Sequence, residues 1–338
     1  MTLTVGELGE SGVLRRILSR LDAAQVATLG PGDDCAVLGV RGELVITTDT
    51  MIEGPDFRAA WHSGCDLGWK LAATNLSDVA AMGARPIALT LALAVPRDTP
   101  VELLEAIATG MNDACQALAP GCGVVGGDLG TAPVITAAVT ALGELSGRPA
   151  VTRAGARAGD TLAYAGDLGL AGLGLSLLFA EAADKHGNAQ PDRVAELKSA
   201  SAVNAETLAA QLTPTPPVGL GVVAATSGAT AMMDISDSLS IDADRLARAS
   251  GVRVELESEL LLGAFGSQRG VDVPVAAMLT GGEDHGLLAT FPADVVIPAG
   301  FAPIGRVLAA HLDPRVTLDG EPQEPAGWDP YVLRWPGA

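Results

Sequence analysis

Short runs of β-forming apolar residues alternate with longer segments of helical periodicity, and this alternation is what most limits the folds open to the chain. Residues 43–48 form a β-rich run that ends in Asp49. Residues 65–82 place Leu67, Leu71, Leu76, Val79 and Ala80 at amphipathic-helix spacing. Pro86 opens a strand over 87–95, and Pro96 closes it. A helix over 100–118 carries a proline in its first turn, and strands near Val124 and over 134–142 follow. The pattern breaks at Ser146-Gly147-Arg148-Pro149 and resumes with a strand over 161–165. The second half reads as helices over 172–183 and 194–212, a break at Pro214-Thr215-Pro216-Pro217, a strand over 231–235 and a helix over 240–249. Residues 187–192 read as an exposed, mobile loop. These elements predict an α/β (α+β) chain of two domains, residues 1–148 and 149–338, a division that suits 338 residues.

Apolar residues at 48% and charged residues at 18% describe a globular chain, and aromatics at 3% leave the cores to Ala, Val, Leu and Ile. The net charge of −19 argues against nucleic acid or an anionic membrane as partner. It also means that a phosphate-bearing substrate needs divalent cations between itself and the carboxylates. The apolar run over 87–95 is too short to span a bilayer. The first seven residues lack the basic-then-apolar pattern of a signal peptide. Cys35, Cys65, Cys115 and Cys122 lack zinc-type spacing and the four His are dispersed, so a reduced, cytoplasmic setting is expected.

The chemistry-bearing feature is a series of aspartates beside apolar strands or glycines: Gly32-Asp33-Asp34, Thr47-Thr48-Asp49, Asn75-Leu76-Ser77-Asp78, Gly126-Gly127-Asp128 and Asp234-Ile235-Ser236-Asp237. Any one of them alone is more often a turn residue or helix cap. Together, with no competing His or Cys cluster, they suit several magnesium ions, which take oxygen ligands and bridge carboxylates to phosphates. No twelve-residue calcium loop, phosphate-binding Gly-Lys loop, kinase-type catalytic loop or dinucleotide fingerprint is present. The glycine-rich stretch from Gly166 to Gly172 fits either a phosphate-binding helix start or a plain strand-to-helix turn. His285, beside Glu283-Asp284, reads as structural. Asn75-Leu76-Ser77-Asp78 and Asp234-Ile235-Ser236-Asp237 form a faint internal echo.

In order along the chain, these motifs, with Thr47-Thr48-Asp49-Thr50, the block from Asn75 to Ala84 and Gly281-Gly282-Glu283-Asp284, resemble the thiamine-monophosphate kinase family of the aminoimidazole ribonucleotide synthetase superfamily. The likeness runs from about Gly6 to Tyr331. It implies a homodimer in which the N-terminal domain's mixed sheet joins its partner's, with a C-terminal α/β domain over the cleft. It implies transfer of a phosphoryl group from ATP to thiamine monophosphate, giving thiamine diphosphate. By motif position the magnesium ligands would be Asp34, Thr47, Thr48, Asp49, Asp78, Asp128, Asp234 and Asp237. Gly127, Asp128, Arg153 and Ser236 would contact ATP, and Asp56, Glu283 and Trp328 would line the thiamine site. Asp128 and Arg153 would serve catalysis without a general base, since the attacking phosphate has a second pKa of about 6 and is already anionic.

Three places depart from the family pattern. Asp56 stands in Gly54-Pro55-Asp56-Phe57 where His is frequent, Ser238 follows Asp237 where Gly is usual, and Pro214-Thr215-Pro216-Pro217 lacks a basic residue. Among rivals in the superfamily, a purine-pathway synthetase remains. A selenophosphate synthetase would carry a reactive Cys before Cys35, and the hydrogenase-maturation relative would end in Cys. A nonenzymatic nucleotide-sensing module would lack Glu283 and Trp328.

Overall fold

The computed structural model describes residues 3–31, 35–184, 187–310 and 315–327. At its centre is the helix Gly64–Ala81. Ser63 starts it with a reciprocal cap, its hydroxyl accepting from the Asp66 amide while the Asp66 carboxylate accepts from the Ser63 amide. Apolar residues occur all round this helix, and fourteen of its eighteen residues are buried, which is the pattern of a helix covered on every side. The helix Val101–Leu118 lies against it. A Cβ on Gly68 would fall 1.9 Å from the Ile107 carbonyl oxygen, and one on Gly110 would fall 2.1 Å from that of Cys65. The two backbones therefore touch through paired glycines.

Below these helices is a four-stranded mixed sheet in the order Leu44–Ile52, Thr136–Glu144, Arg85–Val95 and Val124–Thr131. The first three strands are antiparallel and the last runs parallel to its neighbour. Asp49, Val139, Leu91 and Gly127 form one row across it. Alternate residues turn to the helices, burying Leu89, Leu93, Val95, Ala137, Val139 and Ala141. The opposite face leaves Leu44, Ile46 and Ile52 exposed, Ile46 to 67%.

A seven-stranded mixed sheet lies on the other side of the central helix, in the order Glu321–Pro322, Val316–Leu318, Val252–Leu256, Ala302–Ala309, Thr161–Ala165, Leu287–Phe291 and Ala231–Asp234. Strand alternation divides its residues between two cores. Ala163, Ala165, Met232, Leu287 and Phe291 join the core of the central helix with Leu71, Leu76 and Val79. Leu162, Tyr164, Met233 and Leu288 turn the other way, to the helix Leu239–Ser250. The central helix is thus shared by both sheets.

Several elements differ from their sequence expectation. The first strand runs on to Ile52, so Asp49 lies inside it. Gly126-Gly127-Asp128 lies within an edge strand rather than a turn. The helix expected over 194–212 is two, Pro191–Ala200 and Ala202–Leu212. Ser201 adopts an extended backbone between them and accepts the Asn204 amide as a new cap. Pro191 starts a helix inside the expected loop. Pro100 caps its helix from outside rather than entering the first turn. The echoing motifs take unlike structures, since Asn75–Asp78 is helical and Asp234 ends a strand.

Because the Gly68 contact is with backbone, no side chain can turn away to make room. Gly68→Ala is expected to destabilise the fold by about 1–3 kcal/mol, the usual range for an overpacked core. Urea unfolding checks this, and a midpoint unchanged from the parent would show that the helices part easily.

Candidate active site

Where the central helix ends between the two sheets, three elements bring acidic groups together. The strand Leu44–Ile52 sends Thr47 and Asp49 to its helix-facing side. The helix supplies Thr74, Ser77 and Asp78, and the strand Ala231–Asp234 ends there in Asp234. Thr47 Oγ1 donates to Asp78 Oδ2 at 3.0 Å, and Ser77 Oγ donates to Asp234 Oδ2 at 3.1 Å. His285 is buried with Nδ1 3.4 Å from Asp234 Oδ2 and Nε2 3.3 Å from Thr74 Oγ1.

These carboxylates make one another costly to ionise. Burial, then Asp234, then Asp49 push the Asp78 carboxyl up to about 7, against the Thr47 hydroxyl and His285, which favour its charged form. Burial and Asp234 raise Asp49 as well. Every side-chain donor from Asp49, Asp78 and Asp234 is oxygen, the type a hard divalent cation takes. Among the described residues, no three His, Cys, Asp or Glu side chains are close enough to hold an ion by themselves.

The turn after Asp234 is held from behind. Asp242 is fully buried, and its Oδ2 accepts the amides of Ser236, Asp237 and Ser238 at 3.1–3.3 Å. Burial and Asp234 raise the Asp242 carboxyl to about 6. Arg245 pairs with both Asp237 and Asp242. Ser238, in the place where the resemblance expects Gly, has an extended φ of 171° that any residue adopts. Its hydroxyl accepts the Ile241 amide as a helix cap and donates to the Ala326 carbonyl. A second turn is stitched alongside, with the Glu283 amide donating to the Ser236 carbonyl and the His285 amide to that of Ile235.

This second turn forms one wall of a cavity of about 440 Å³, lined by Asp56, His62, Gln211 and Glu283 among others. Glu283 and His285 take left-handed backbone angles, φ 68° and 54°, which cost energy for residues with a Cβ and collect at functional sites. The Glu283 carboxylate pairs with Lys70 at 2.9 Å and accepts from the Gln211 amide. Lys70, on the central helix, is 0% exposed and also donates to the Gln211 carbonyl. Burial pushes Glu283 up, but the Lys70 charge and the two hydrogen bonds outweigh it and leave the carboxyl below its ordinary value. Asp56 accepts the Ile52 amide at 2.8 Å, and burial raises its carboxyl.

Other expected site residues lie elsewhere. Thr48 is on the opposite face of the sheet from Thr47 and Asp49, its hydroxyl donating to the Val139 carbonyl. Asp128 shares that outer face and stands on the far edge strand, three strand spacings or about 14 Å across. Gly127 precedes it, with a virtual Cβ 2.0 Å from the Leu91 carbonyl oxygen, so only glycine fits. Arg153 is in an exposed turn beside the strand Ala231–Asp234. Asp34 and Trp328 lie outside the described residues. The Gly166–Gly172 stretch is a strand-to-helix turn whose free amides are taken, since Asp284 accepts those of Gly169 and Ala171 at 2.6 and 2.8 Å. Lys70, Gln211 and Asp242 went unmarked in the sequence. A single charge between Trp69 and Leu71 in an all-round apolar helix is the signal that singles out Lys70.

A family profile described as the N-terminal domain of AIR synthase related protein matches residues 32–145. The chain is 37% identical to the thiamine-monophosphate kinase of Mycobacterium tuberculosis (strain H37Rv), covering 97% of this chain and 93% of that protein. Its fold is similar to the crystal structure of thiamine-monophosphate kinase from Stenotrophomonas maltophilia K279a, with a TM-score of 0.72 and 30% identity over 93% of this chain and 96% of that one. It is also similar to AaThiL complexed with AMPPCP and TMP, with a TM-score of 0.71 and 30% identity over 97% of this chain and 99% of that one.

The raised Asp78 carboxyl carries a stability consequence. Between its unfolded value of about 3.9 and its folded value of about 7, the native state binds the extra proton. Its contribution to stability is therefore neutral below about pH 4 and becomes increasingly unfavourable as pH rises to 7. In chelator, Asp78→Asn is expected to be more stable than the parent at pH 8 by about 1–3 kcal/mol and equally stable near pH 4. Denaturant melts at the two pH values check it, and equal stability at pH 8 would mean that Asp78 ionises freely.

Proposed function

The chain belongs to the thiamine-monophosphate kinase family, and from that premise we propose how its residues divide the work. It is an ATP-dependent kinase that converts thiamine monophosphate to thiamine diphosphate. The observation that carries the division is the junction of two unlike sites through the stitched turns 234–238 and 281–285. Carboxylates that repel one another lie on one side, and a cavity with Glu283 and Asp56 on the other.

In this reading Asp49, Asp78, Asp234 and Asp237 hold magnesium together with Asp34. Bound magnesium supplies positive charge that offsets the phosphates of both substrates. Thr47 orients Asp78, Ser77 and His285 orient Asp234, and the Asp242–Arg245 pair fixes the turn that presents Asp237 and Ser236. Ser236 and Arg153 serve the ATP phosphates. Asp56 and Glu283 put carboxylates on the cavity wall for a thiazolium cation, and motif position assigns Trp328 to the same ring. No general base is required, because the acceptor phosphate is anionic near neutral pH. Catalysis rests on aligning the two substrates and on charge compensation.

The outer face of the four-stranded sheet supports a homodimer. Leu44, Ile46 and Ile52 are exposed on a face that also carries Thr48 and Asp128, and apolar strands left open mark an interface. In this reading a second copy covers this face, and Asp128 of one protomer serves a site of its partner. Four free cysteines, two of them buried, support a reducing cytoplasmic setting. Among the described residues no helix is long and apolar enough to cross a membrane.

Three outcomes are expected. Purified protein should form ADP and thiamine diphosphate only with a divalent cation, and Asp78→Asn should lower turnover by about a hundredfold, near 3 kcal/mol of barrier. Product formation in excess chelator would overturn the metal-assisted reading. Asp78→Asn and Asp128→Asn, each nearly inactive alone, should regain about a quarter of parental activity after mixing and subunit exchange, because half of random dimers hold one intact site. No recovery, with exchange confirmed by mass spectrometry, would place both carboxylates in one chain's site.

A further inference from the structure

Two polar atoms in the wall of the substrate cavity have unused hydrogen-bonding capacity, and both are acceptors. His62 lies on the segment between the first strand and the central helix, its side chain buried. Its Nδ1 is 3.1 Å from the Arg58 carbonyl oxygen. A carbonyl can only accept, so Nδ1 carries the proton, and in a neutral ring Nε2 is then a bare acceptor. Burial and the nearby Lys70 charge hold the ring neutral, its pKa pushed down to about 4. Nε2 has no hydrogen-bond partner among the described residues.

Gln211 faces the same cavity from the end of the helix Ala202–Leu212. Its amide orientation is fixed by chemistry, because Nε2 donates to the Glu283 carboxylate and the reverse orientation would set two oxygens against each other. That leaves Gln211 Oε1 as an acceptor, also without a partner among the described residues. Buried polar groups are nearly always paired, and two orphans on one cavity point to a ligand that pairs them. Such a ligand must bring N–H or O–H donors. Both atoms are covered by the wall itself, so pairing them requires the two side chains to turn toward the ligand.

We propose that His62 Nε2 and Gln211 Oε1 recognise the exocyclic amino group of the substrate's pyrimidine ring and so set specificity for it. The assignment rests on the kinase reading, in which the substrate is thiamine monophosphate. That molecule ends, away from its phosphate, in an aminopyrimidine whose amine carries two N–H donors. Asp56 and Glu283 answer the cationic ring, and His62 and Gln211 answer the neutral one. Arg58, whose carbonyl accepts from His62, lies over both Trp61 and Phe179, 4.6 and 4.7 Å from their ring centres.

The test compares thiamine monophosphate with its 4-oxo analogue, oxythiamine monophosphate, in which a carbonyl replaces the amine. Facing two buried acceptors, the carbonyl leaves both unpaired, and kcat/KM should fall by about a hundredfold in the parent enzyme. His62→Phe and Gln211→Met each remove an acceptor while keeping bulk. Each should narrow the preference about tenfold by weakening the amino substrate, with KM for ATP unmoved. A parent enzyme that handles both compounds alike overturns the assignment and needs no variant to fold. Variants that lose equally on both compounds also overturn it, since that is what a purely structural role gives. If thiamine monophosphate itself is not phosphorylated, the kinase reading falls and this assignment with it.

Discussion

The central helix has no face left for solvent, and the rest of the architecture follows from that burial. Leu71, Leu76 and Val79 share one core with Val139 of the smaller sheet and with Ala163, Met232 and Phe291 of the larger. Its backbone meets that of the neighbouring helix at Gly68 and Gly110 with no room for a methyl group. A helix clamped in this way has a fixed rotation and a fixed axial position. Its last turns must therefore deliver Thr74, Ser77 and Asp78 to the seam between the sheets, and its middle must deliver Lys70 to the cavity.

The two uses of that helix are opposite in sign. At its end like charges collect, and the Asp78 carboxyl rises to about 7 because of its burial and of Asp234 and Asp49 beside it. At its middle, burial joins unlike charges, and the Lys70–Glu283 pair is satisfied further by Gln211. The first arrangement is costly until cations enter and so is suited to binding them. The second is complete in itself and holds Glu283 in a left-handed conformation that an unsupported loop would leave. The turns that carry Ser236 and Glu283 are hydrogen-bonded to each other, which joins the two regions.

Much of this was legible in the residues. The alternation of elements gave the mixed α/β fold, and the strands 161–165 and 231–234 lie where apolar runs place them. Misreadings came where a neighbour outweighed local pattern. Asp49 looks like a strand end by propensity, but pairing with the Thr136–Glu144 strand carries the ladder three residues further. Gly126-Gly127-Asp128 has turn composition, yet the parallel partner strand extends it because the close approach to Leu91 requires glycine. The capping hydroxyl of Ser201 divides one apparent helix into two.

By itself the sequence determined the chemistry available: a chain of net charge −19 with aspartates at apolar boundaries and no clustered His or Cys offers oxygen ligands and little else. It also determined the order of the elements, since periodicity and Pro or Gly punctuation are local properties. Tertiary structure alone decided which groups meet. Strand register put Thr47 and Asp49 on one face and Thr48 and Asp128 on the other. Helix packing buried Lys70 beside a carboxylate 213 positions away. Burial of the Lys70 charge is set by neighbours distant in the chain, and no local pattern encodes it.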